Sequence, residues 1–146
     1  MKLKPIIYTF AAVAILTISC KKEEIDYSPK ISLVSMAPLQ VTEYADSIVF
    51  TIKYEDKNGD IGIPDADINS LWLKDARLDK ADEYFIAPLA PLDTEVSIEG
   101  ELKINLKNTF KLGNSPSEKT KFTIWLKDRA GNESNIIETP ELTIIE

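Results

Sequence analysis

The 146-residue chain contains no histidine. That removes the commonest general base and the commonest metal ligand, and with them every Ser-His or Cys-His arrangement. Zinc, copper and haem sites lose their usual ligands as well. Cysteine occurs once, at Cys20. No internal disulfide, Cys-x-x-Cys redox motif or multi-thiolate metal site is therefore available. There are no internal repeats and no low-complexity tract. Basic residues are outnumbered 17 to 24, for a net charge of −7. Nucleic acid calls for a basic footprint and anionic lipid for a polybasic patch, so neither is expected as an electrostatic partner. The longest uncharged apolar run, Pro5 to Ser19, falls short of the ~20 residues a bilayer-spanning helix needs.

What that run does resemble is an export signal. Lys2 and Lys4 make a short basic head, the apolar run follows, and Cys20 stands directly after the small Ser19. The single Cys at the end of the run resembles the lipobox of bacterial lipoproteins. That family prefers Leu three residues before the Cys. Here Thr17 holds that place, with Leu16 one further back. The resemblance implies that residues 1–19 are cut away and that Cys20 is diacylated. Cys20 then becomes the mature N-terminus, and the lipid is the membrane attachment. Losing residues 1–19 removes two of the 17 basic side chains and none of the 24 acids. The mature chain is therefore more acidic still. Residues 20–30 read as the lipidated Cys and a polar tether ending near Pro29. Lys21-Lys22-Glu23-Glu24 resembles the charged export tags of some lipoproteins. That implies the outer membrane or cell surface, with the periplasmic face as the alternative. The same cluster also reads as a solvated linker.

Residues 31–146 are long enough for one domain with a full core. Their periodicity is mostly two, the period of a strand with one buried face. Ile48, Phe50, Ile52 and Tyr54 face one way, with Thr51, Lys53 and Glu55 opposite. Phe122, Ile124 and Leu126 oppose Thr123, Trp125 and Lys127. Leu102, Ile104 and Leu106 oppose Lys103, Asn105 and Lys107. Weaker strand signals cover residues 31–36, 71–74, 84–87, 96–98 and 141–145. The charge-dense stretch 75–83 reads as loop. Seven to eight short strands separated by turn signals predict an all-β, antiparallel β-sandwich. The expected core holds Phe50, Ile52, Leu102, Ile104, Phe122, Ile124 and Leu126.

Two acidic turns stand out. Asp56-Lys57-Asn58-Gly59-Asp60 is followed closely by Asp65 and Asp67; the second turn runs Asp128-Arg129-Ala130-Gly131-Asn132. Asp56, Asn58 and Asp60 offer oxygens at alternate positions with a glycine for the tight turn, as calcium loops do. The same residues also serve an ordinary turn, because Asn, Asp and Gly are the usual choice where φ > 0 is needed. Parity places Asp56 and Asp128 on the inward faces of their strands, at the strand ends. In a sandwich whose second and sixth strands run in the same direction, both carboxylates reach one pole. A structural Ca²⁺ held by Asp56, Asn58, Asp60, Asp128 and Asn132 would relieve their repulsion. Asp65 and Asp67 are further candidates. Pairing with Arg129 or Lys57 would relieve it too.

The run Asp128-x-Ala130-Gly131-Asn132-x-Ser134 resembles a segment that closes many bacterial immunoglobulin-like and fibronectin type III-like modules. The resemblance implies that fold and says little about a ligand. Trp125 points outward by parity, and Trp72 does so in its own strand. Outward aromatics on a sheet stack on sugars, anchor partners, or pack under a crossing loop. Tyr84-Phe85, beside Pro88 and Pro91, reads either as an interaction edge or as a loop folded over the sandwich. The functional expectation is a non-enzymatic, lipid-anchored binding or structural module that engages a protein or glycan. The alternative is a small carboxylate-dependent hydrolase or an accessory subunit of an enzyme complex.

Overall fold

The computed structural model describes residues 25–146. The signal segment, Cys20 and the Lys21–Glu24 charge cluster lie outside the described residues. Alternating apolar and polar side chains send successive residues to opposite faces, and such stretches form the long strands. Ten strands follow in order: β1 (Lys30–Ala37), β2 (Gln40–Thr42), β3 (Ile48–Asp56), β4 (Leu71–Asp75), β5 (Asp82–Tyr84), β6 (Ile98–Leu106), β7 (Ser117–Thr120), β8 (Phe122–Leu126), β9 (Ile137–Glu138) and β10 (Leu142–Ile145).

They form three sheets, ordered β1-β3-β6, β5-β4-β8-β9 and β2-β10-β7. All pairs are antiparallel except β2 with β10, which is parallel. The result is an all-β, sandwich-like fold. Three strands that carry no clear alternation, β2, β7 and β9, bring the number to ten where seven to eight are expected, and two of them arise at breaks. Lys121 separates β7 from β8, and Pro140, which has no N–H to donate, lies between β9 and β10. One pair of chain segments thus contributes to two sheets. The weak signal at 84–87 shifts: the strand is Asp82–Tyr84, and Ile86 leaves the sheet to be buried elsewhere. Residues 96–98 join the expected 101–107 strand to make the nine-residue β6.

The inner faces meet in one core. Phe50 on β3 and Phe122 on β8 are both fully buried, their rings edge to face at 5.2 Å. Ile48, Ile52, Leu73, Ile124, Leu126 and Ile144 are among the residues buried around them. Of the expected core, Leu102 alone is only half-buried, because β6 is the outermost strand of its sheet.

Candidate functional site

β3 ends at Asp56, and two residues after β8 comes Asp128. Both are buried, at 2% and 3% exposure. Each carboxylate organises its own turn. The Asp56 Oδ2 accepts from the backbone N–H groups of Asp60 at 2.8 Å and Ile61 at 3.1 Å. Asp128 accepts from the Asn132 N–H at 2.7 Å and from its side-chain Nδ2 at 2.8 Å. The turns then meet, since the Arg129 N–H donates to the Asp60 carbonyl and the Ala130 N–H to the Asp60 carboxylate. The structure therefore brings Asp56, Asn58, Asp60, Asp128 and Asn132 to one pole. Asp65 and Asp67 are exposed, with Asp65 capping the Asp67 N–H.

The two cations do something other than pair with these acids. Arg129 donates to the carbonyls of Gly62 at 2.9 Å and Gly59 at 3.3 Å. Lys57 donates to the Asp26 carbonyl. Neither makes an ion pair with Asp56, Asp60 or Asp128 among the described residues. Burial, then the charges of Asp128 and Asp56, push the Asp60 carboxyl above its ordinary value. Two oxygens at the pole, Asn58 Oδ1 and Asp60 Oδ1, are shielded from solvent and have no hydrogen-bond partner among the described residues. Such orphaned acceptors are rare in folded proteins and call for a donor or a cation. A cleft of about 490 Å³ lies beside them, bordered by Asn58, Asp60, Asp93, Thr94, Glu95 and Arg129. Asp93 and Glu95 are the acids that sequence reasoning missed, because nothing in their Pro-flanked segment sets them apart. Among the described residues no group of three or more Asp, Glu, His or Cys side chains converges as a metal-holding cluster. The carboxylates of Asp56 and Asp128 are turned toward their own loops instead.

Gly59 and Gly62 let the crossing segment after β5 approach this pole. Both adopt positive φ, at 71° and 87°. A Cβ on Gly59 would lie 2.3 Å from the Val96 carbonyl oxygen. The N–H groups of Val96 and Leu89 donate to the carbonyls of Asn58 and Ile61, and that of Ile63 to the Ile86 carbonyl. The segment beyond Tyr84-Phe85 is thus folded over the end of the molecule, with Ile86 buried and Phe85 left exposed.

Trp72 and Trp125 come together on the outward face of the four-stranded sheet. They stand directly opposite in the β4–β8 register. Their rings stack at 5.9 Å with an interplanar angle of 10°. Both are half-buried, and Glu83 of β5 stands opposite Trp72 on its other side.

A polar cluster at the far end of the sheets was also missed. Arg77 grips the Asp75 carboxylate at 2.7 Å, reaches Glu118 at 2.8 Å and donates to the Phe110 carbonyl. The Thr120 hydroxyl donates to Asp75 as well. Burial raises the Asp75 carboxyl, but the hydrogen bonds from Arg77 and Thr120 outweigh it and hold the group below its ordinary value. These partners lie up to 45 residues apart, so no local pattern announces them.

No family model matches the chain, and no curated protein or solved structure is significantly similar to it.

Proposed function

We propose that the chain is a lipid-anchored binding module displayed at the cell envelope, which holds a protein or glycan partner against the outward face of its four-stranded sheet. The stacked Trp72–Trp125 pair carries this reading. Two residues 53 positions apart meet on a solvent-facing surface and present a continuous aromatic patch. Such patches supply contact area at low cost in side-chain entropy. The sheet order supports an immunoglobulin-like arrangement. In such a fold β1, β3 and β6 would be the first, second and fifth strands. β4 and β8 would be its third and sixth, with β5 as an added edge.

Calcium at the acidic pole is the structural half of the proposal. Asn58 and Asp60 each offer an unpartnered oxygen. Lone pairs of Asp56 and Asp128 that their own turns leave free, with Asn132 beside Asp128, would supply further ligands together with water and main-chain carbonyls. The cation would offset the burial, and the charges of Asp128 and Asp56, that raise the Asp60 carboxyl.

The test of the binding face compares whole cells carrying wild type with cells carrying the Trp72→Ala/Trp125→Ala double variant. A photo-crosslinking residue at the neighbouring outward position Thr123 records what lies against the sheet. Wild type should yield a discrete protein or glycan adduct that the double variant loses at equal surface level. Identical adducts from both would overturn the assignment of this face.

A further inference from the structure

We infer that β6 pairs with β6 of a second copy of this chain, joining two three-stranded sheets into one continuous six-stranded sheet across a two-fold axis. The inference goes beyond the proposed function and uses a different part of the molecule.

Sheet edges are hazards that folded proteins blunt by shortening, bulging or covering them. Among the described residues nearly every edge is blunted. β2, β5, β7 and β9 are two to four residues long. β1 carries a bulge between Leu33 and Ser35. The Asn135 side chain also caps it, accepting from the Ile31 N–H and donating to the Ile31 carbonyl. β6 is the exception. It runs nine residues in unbroken register with β3. Among the described residues no hydrogen bond reaches its other edge. Beside that edge lies an apolar cavity of about 440 Å³, where Leu102 and Ile104 of β6 face Tyr84, Phe85, Ile86 and Leu89. Phe85 is 40% exposed there.

The sequence of β6 says which strand fits. Leu102 is the midpoint of Ile98–Leu106. An antiparallel pair centred on Leu102 overlaps all nine residues. It sets Glu101 opposite Lys103 of the second copy, and Lys103 opposite the second copy's Glu101. Glu99 meets Asn105, and no like charges stand opposite each other. On the inner face Ile98 meets Leu106, Gly100 meets Ile104, and Leu102 meets itself. Shifting the centre to Gly100 would oppose Glu99 to Glu101; centring on Glu101 or Lys103 would oppose that residue to itself. Glu101 and Lys103 are both exposed, and neither is in an ion pair among the described residues. Opposed charges across strands stabilise a pair and like charges destabilise it, so this strand is complementary to itself. A two-fold contact needs that property.

The full chain, in mild detergent, is examined by sedimentation equilibrium over a range of concentrations. Wild type should dimerise reversibly. Glu101→Lys alone and Lys103→Glu alone each create two like-charge contacts. Each should raise the dimer dissociation constant about tenfold or more. Glu101→Lys/Lys103→Glu together should restore dimerisation. An equimolar mixture of the two single variants should form heterodimers, which also answers any loss of stability in either variant alone. A wild type that stays monomeric would overturn the inference, including the case in which another protein's strand occupies β6. So would a dimer indifferent to all three variants.

Discussion

Asp56 and Asp60 show how far two neighbouring carboxylates can differ. Asp56 receives backbone N–H groups, while Asp60 keeps one oxygen unpartnered close to two other acids. Because its folded-state value is raised, ionising Asp60 costs stability, and that loss grows as pH rises past the ordinary value of 3.8. In calcium-free protein, Asp60→Asn should raise the melting temperature at neutral pH and flatten this part of the pH profile. Calcium should reverse the cost in wild type. At 100 times its dissociation constant it should stabilise by ~2.7 kcal/mol, and Asp60→Asn should blunt that response. A wild-type melting curve that ignores both calcium and chelator would leave the loops as ordinary turns. Asp75 carries the opposite sign. Its folded-state value is lowered, so its contribution is present above 3.8 and lost as pH falls through the lower folded value. Arg77→Ala leaves a buried carboxylate without its partner. It should cost roughly 3 kcal/mol at neutral pH, read by urea denaturation, and should weaken the acid dependence.

At the scale of elements, the strands with an apolar alternation were legible, the short β4 and β10 included, and β2, β7 and β9 were not. β3, β6 and β8 alternate cleanly, because each has one face in the core and one in water. β2, β7 and β9 are short, and β7 is the polar run Ser-Glu-Lys-Thr. Such strands exist because a neighbour supplies a ladder, and no local pattern records that neighbour. β5 was misplaced by two to three residues because Phe85 and Ile86 look like strand; tertiary packing takes Ile86 into the apolar core instead. Phe50→Ala or Phe122→Ala should each destabilise by ~3–5 kcal/mol in denaturant titration, since both rings are fully buried. Gly59→Ala should cost about 1–3 kcal/mol through its positive φ alone. The contact with Val96 adds to that, and the melting temperature should fall.

At the scale of the whole molecule, the anchor and the domain were read by different logic. Labelling with a fatty-acid analogue should mark wild type and not Cys20→Ser; equal labelling of both would refute lipidation. Composition alone excluded histidine chemistry and an internal disulfide, since missing side chains are missing in any fold. Strand parity, set by the pleat, placed Asp56 and Asp128 inward and Trp72 and Trp125 outward before any contact was known. Contacts themselves were beyond it. That Arg129 answers glycine carbonyls rather than acids, that Arg77 gathers Asp75 and Glu118, and that the two indoles stack are outcomes of strand order and register. Those depend on which distant segments exclude water together, a choice made by the whole chain collapsing at once. Local periodicity says which face of a strand is buried, and only the tertiary structure decides what it is buried against.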